Sequence, residues 1–153
     1  MDISSVASFF WPVRIYHQDT DSSGVVFHPN YMSFMERART ELLRKYGVEM
    51  TRILAEHSRI FVVAEANVKY HHPAKLDDSL WATADIVSVG RSRVVFCQRV
   101  LLQDNLRSLC TGRIIIACVD AKTLKPARLP ASVVSAFGKM YQQRMRRSEG
   151  FSD

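Results

Sequence analysis

The fold is decided by two neighbouring stretches, PNYMSFMERARTELLRKYG at 29–47 and IFVVAEANVKYH at 60–71. In the first, Tyr31, Phe34, Met35, Ala38, Leu42 and Tyr46 recur at helical spacing, and Glu36, Arg37, Arg39 and Glu41 take the remaining positions. Pro29 suits a first helical turn, where its missing N–H costs nothing, and Gly47 suits the stop. The spacing predicts one amphipathic helix of about four turns. In the second stretch the period falls to two. Ile60, Val62, Ala64, Ala66, Val68 and Tyr70 alternate with Phe61, Val63, Glu65, Asn67, Lys69 and His71, so strict alternation predicts a long strand with one nearly all-apolar face.

Around these two, Val13–Tyr16 alternates as a strand, and three further strand-like runs cover 80–89, 94–103 and 108–119. The links at Gly90-Arg91-Ser92-Arg93 and at 103–106 are short, which makes the consecutive strands antiparallel. Pro126 and Pro130 mark a loop, and 131–147 reads as a terminal helix with basic residues toward its end. The order is strand, helix, four strands, helix, all within one expected domain of 153 residues whose core spans about 11–130. An α+β arrangement follows, in which an antiparallel five-stranded sheet covers the apolar stripe of the long helix. A hotdog fold satisfies this economically; periodicity alone equally allows another α+β sandwich.

A formal charge of +6 favours anionic partners: nucleic acid, an anionic membrane surface or a phosphate-bearing metabolite. Basic residues interleaved with aromatics are too sparse to support nucleic-acid binding. Cys97, Cys110 and Cys118 are odd in number and lack CxxC spacing, so reduced thiols are expected. His71 and His72 point to opposite faces of a strand and make a poor metal pair; His17 and His57 have no ligand-spaced partners. No metal and no cofactor is expected. No apolar run has the length of a membrane span, and the opening MDISSVASFFWPVR lacks a basic start and is interrupted by Pro12. The expectation is a soluble, cytoplasmic protein.

The chemistry lies in Asp19-Thr20-Asp21-Ser22-Ser23-Gly24-Val25-Val26-Phe27-His28-Pro29. Two carboxylates, a flexible glycine and a histidine stand just before a helix start, where free N–H groups and a partial positive charge polarise carbonyls. A carboxylate beside such a terminus can attack a carbonyl, or activate water to do so. The same residues are also good turn formers, with Asp side chains capping nearby amides. Both readings stand on chemistry alone.

The stretch from Trp11 to Gly47 resembles the opening of the 4-hydroxybenzoyl-CoA thioesterase-like branch of the hotdog superfamily, and is most similar to its YbgC-type acyl-CoA thioesterases encoded with the Tol-Pal system. The pattern D-T-D-x-x-G-x-V-x-H-x-x-Y-x-x-F-x-E-x-A-R is met at every fixed position from Asp19 to Arg39, and similarity extends to about Pro130. The resemblance implies hydrolysis of acyl-CoA, with Asp21 as catalytic nucleophile or general base and the His28 N–H polarising the thioester carbonyl. It implies that Tyr31 lines the site, that Phe61 and Val63 contribute to an acyl pocket of a neighbouring subunit, and that Arg91, Ser92 and Arg93 approach the nucleotide of coenzyme A. Weaker cation candidates are Lys69, Lys125 and Arg128. A homo-oligomer is implied, a dimer or a tetramer of two dimers. Acyl carrier protein as donor and peripheral association with the inner membrane through the basic terminal helix stay open. The rival is a non-catalytic module that binds acyl-CoA or acyl carrier protein and serves envelope maintenance.

Overall fold

The computed structural model describes residues 9–150, with side chains as far as Arg146. The expectation about a secretory leader falls largely on residues 1–8, outside the described residues. Six strands form one antiparallel sheet: β1 (Phe10–Arg14), β2 (Arg59–Tyr70), β3 (Ser79–Thr83), β4 (Asp85–Val89), β5 (Arg93–Leu102) and β6 (Ser108–Asp120). Three helices accompany them: α1 (Asn30–Lys45), α2 (Met50–His57) and α3 (Ala131–Gly150). The sheet runs β1-β3-β5-β6-β2, with β4 also on β5. The run expected as one strand at 80–89 is divided at Ala84, and both halves pair with β5. The sheet is therefore still five strands wide, curved around α1 in the hotdog manner.

Tyr31, Phe34, Met35, Ala38 and Leu42 of α1 are buried as the spacing predicts, and Gly47 ends the helix in the left-handed region at φ 80°. Arg39 departs from its expected place on the polar side and is 7% exposed. Its Nη1 donates to Gln98 Oε1 at 2.9 Å, while Gln98 Nε2 donates to the carbonyls of Met35 at 2.8 Å and Thr83 at 3.0 Å. Gln98 thus ties the roof helix to two strands inside an apolar core. Where α1 crosses β6, a Cβ on Gly112 would stand 3.0 Å from Met35 Sδ, so glycine permits the close approach.

The alternation expected in β2 is broken. The register on β6 slips between Val63 and Glu65, which leaves Ala64 as an inserted residue. Phe61 and Val63 then face inward opposite Cys118 and Ile116, while beyond the bulge Ala66, Val68 and Tyr70 do so. Ile60 and Val62, grouped by strict alternation with Val68 and Tyr70, lie on the other face. Helix α2 gave no expectation at all. Its eight residues bury only Ile53 fully, too little periodicity to be seen against a loop. In α3, Val133, Ala136, Phe137 and Met140 are buried. At its basic end, Arg144 Nη1 donates to the Ile86 carbonyl at 2.8 Å. Among the described residues no helix is long and apolar enough to cross a membrane.

Candidate functional site

The loop before α1 is a small closed hairpin. Bridges join Thr20 to Val26 and Val25 to Lys75, and the Val26 N–H donates to the Ala74 carbonyl at 2.9 Å. Asp19 is buried and structural. Its Oδ2 accepts the Tyr16 N–H at 2.9 Å, and its carbonyl accepts the Phe27 N–H at 2.8 Å and Asn30 Nδ2 at 3.0 Å. That anchoring fixes where the chain enters α1. Gly24, at φ 84°, supplies the turn.

Asp21 stands at the exposed tip of this hairpin. Its Oδ1 accepts the Ser23 N–H at 2.8 Å and the Ser23 hydroxyl as well. The Ser23 hydroxyl, then the Ser23 N–H, hold its carboxyl below the ordinary carboxylate value, and the charge of nearby His28 acts in the same direction against slight desolvation. The ionised form therefore persists to lower pH than in a free aspartate. The sign gives a test. If turnover needs the Asp21 carboxylate, kcat/KM falls as pH drops through its folded pKa. Ser23→Ala removes the largest cause and moves that acid limb upward in a pH–rate profile; an unmoved limb would assign it to another group.

His28 is exposed, its ring edge-on to Tyr70 at 5.9 Å and to Phe27 at 5.2 Å. Among the described residues no acceptor is assigned to its backbone N–H, two residues before the start of α1, and a free N–H before a helix start can donate to an incoming oxygen. Tyr31 is 3% exposed and accepts the Ala74 N–H on its hydroxyl at 3.0 Å. It is a core residue that also floors a hollow of about 220 Å³ beside His28, Tyr70 and His72.

A larger cavity, about 310 Å³, lies between α1 and the sheet. Phe61 and Val63 line it, together with Ile116, Val94 and Phe96. Its α1 side carries Ser33, Glu36, Arg39 and Thr40, and Leu129 and Phe137 close it from the chain's last segment. Those last two, and the Arg39–Gln98 pair, escaped the sequence reading. A single glutamine in the apolar run of β5 was the one signal on offer.

Within one chain these parts are not all brought together. Asp21 and His28 sit at the Tyr70 end of β2, and Asp21 is not among the lining of the 220, 300 and 310 Å³ cavities. The Arg91-Ser92-Arg93 turn lies at the Phe61 end, where the Ser92 carbonyl accepts the Cys118 N–H at 2.7 Å and Arg93 pairs with Ala117. Arg91 and Arg93 are exposed. Lys69 opens onto the opposite face of the sheet, in a hollow of about 300 Å³ with Arg99 and Arg113. Lys125 and Arg128 are exposed on the loop before α3.

The thioesterase superfamily profile matches residues 23–108, more than half of the chain. The chain belongs to the thioesterase superfamily. Within it, the acyl-CoA thioester hydrolase YbgC of Escherichia coli is 42% identical over 84% of this chain and 95% of its own length. The acyl-CoA thioesterase YbgC of Haemophilus influenzae is 40% identical over 84% of this chain and 93% of its own. Among solved structures, a probable thioesterase from Bartonella henselae superposes with a TM-score of 0.75 at 32% identity, covering 80% of this chain and all of that one. These similarities make the chain a thioesterase of the YbgC type.

Proposed function

We propose that the protein hydrolyses acyl-CoA to a free acid and coenzyme A, at a site completed by a second copy of the chain. Asp21 is the catalytic carboxylate, and the His28 N–H at the start of α1 holds the thioester oxygen. The observation that carries this reading is a carboxyl kept ionised on an anchored hairpin, with an unused N–H donor close by. One such donor is worth about 2.7–4 kcal/mol to an acyl-transfer transition state. Asp21 acts as nucleophile or as base for water; both routes use the same geometry.

The second copy follows from the edge of the sheet. Strand β2 has β6 on one side only, and Val62, Val63, Ala64 and Ala66 on it are exposed. A long apolar edge is a pairing surface. Two-fold antiparallel pairing of β2 with its copy sets the Tyr70 end of one chain against the Phe61 end of the other. Asp21 and His28 of one subunit then face the 310 Å³ cavity and the Arg91–Arg93 turn of its partner. Arg91 and Arg93, in no ion pair among the described residues, meet the phosphates of the nucleotide.

Mixing two inactive variants tests the arrangement. Asp21→Ala and Arg91→Ala/Arg93→Ala are each expected to release little thiol from acyl-CoA. Statistical co-assembly restores one intact site in each mixed dimer, about a quarter of all sites. Thiol release near that level supports a shared site, and no recovery in proven mixed dimers overturns it. A wild type that binds acyl-CoA without releasing thiol would instead establish the non-catalytic acyl-CoA or carrier-protein module.

A further inference from the structure

The cavity under α1 has a direction. From the exposed edge inward the sheet runs β2, β6, β5, with β4 beyond, and α3 packs against β4. Taken by the order of their elements, the lining residues are Phe61 and Val63 on β2, Ile116 on β6, Val94 and Phe96 on β5, and Phe137 on α3, which packs against β4. Phe137 is 1% exposed, and α3 is held by the burial of Val133, Ala136 and Met140 around it. The ring is therefore a fixed wall at the end farthest from the open edge. It lies outside the residues 23–108 that define the family match. The polar lining belongs to α1, and its buried cation, Arg39, is tethered to Gln98. The path along the sheet is apolar throughout.

We infer that Phe137 sets the longest acyl group this enzyme accepts, by ending the cavity into which the chain extends from the β2 edge. The inference rests on the hydrolase reading above. Each methylene that finds room strengthens binding about fourfold. A chain that outgrows the cavity forfeits this gain and must displace packed side chains. The kcat/KM profile thus climbs with chain length and breaks where the terminal methyl meets the ring.

The test is thiol release from a series of straight-chain acyl-CoA substrates of increasing length. Phe137→Ala moves the break to longer chains by about two carbons or more, with kcat/KM on the first chain beyond the old limit raised at least about fourfold. Phe137→Leu moves it less, and keeps the test open should the alanine variant fold poorly. Leu129→Phe, which fills the same end, moves it to shorter chains. Met140→Ala, a loss of packing on α3 away from the cavity, lowers Tm and leaves the break in place. Active Phe137 variants with an unmoved break overturn the inference alone. A wild type with no thiol release at any length overturns the hydrolase reading, and the inference with it.

Discussion

Asp21→Asn is expected to lower kcat for acyl-CoA hydrolysis by about 10²–10⁴-fold, the usual worth of a positioned acid–base group. Asparagine keeps the shape of the side chain, and its carbonyl oxygen still accepts from Ser23. The hairpin therefore survives, and the charge is all that is lost. The residue is exposed, so the stability change should stay within the range of neutral surface substitutions, under about 0.5 kcal/mol, and Tm should hardly move. On the proposed reading substrate binding draws on the cavity and the arginine turn, so KM should change little. The signature is a fall in kcat at constant KM and constant Tm. Turnover equal to wild type would move the chemistry to another group, and a matching loss of Tm would make Asp21 a structural cap.

The second large effect concerns stability. Gln98→Leu is expected to cost about 2–4 kcal/mol, because it strips acceptors and donors from groups that have no water to turn to. Arg39 loses the partner of its Nη1, and the Met35 and Thr83 carbonyls lose the amide that bridges them. Burial already works against the Arg39 charge and pulls its pKa below the ordinary value, so an unshared guanidinium there is worse than none. Arg39→Met combined with Gln98→Leu should recover much of the loss. A double-mutant cycle by urea denaturation measures that coupling. Strict additivity of the two changes would show that the bond contributes nothing beyond its separate ends.

These two residues also mark how far the sequence reaches. The hairpin that carries Asp21 was legible because its parts are local. The turn residues, the glycine and the helix start that define it all lie within about ten positions, and the family pattern runs through them. Gln98 and Arg39 were not. Their partners lie on elements separated by 59 positions, and a glutamine in a strand looks the same from the sequence whether it meets water or a buried guanidinium.

The helical stripe, the antiparallel strands and the anchored carboxylate hairpin follow from periodicity and turn chemistry, which the chain carries in short segments. Tertiary structure alone decided the rest. The bulge at Ala64 turned Phe61 and Val63 inward, because one inserted residue exchanges the faces of a strand and no alternation rule marks where it falls. Phe137 became the wall of a cavity because α3 packs against β4, a contact between elements that β5 and β6 separate in sequence. Such contacts are fixed by the shape of the assembled core, which the order of residues along any one segment does not contain.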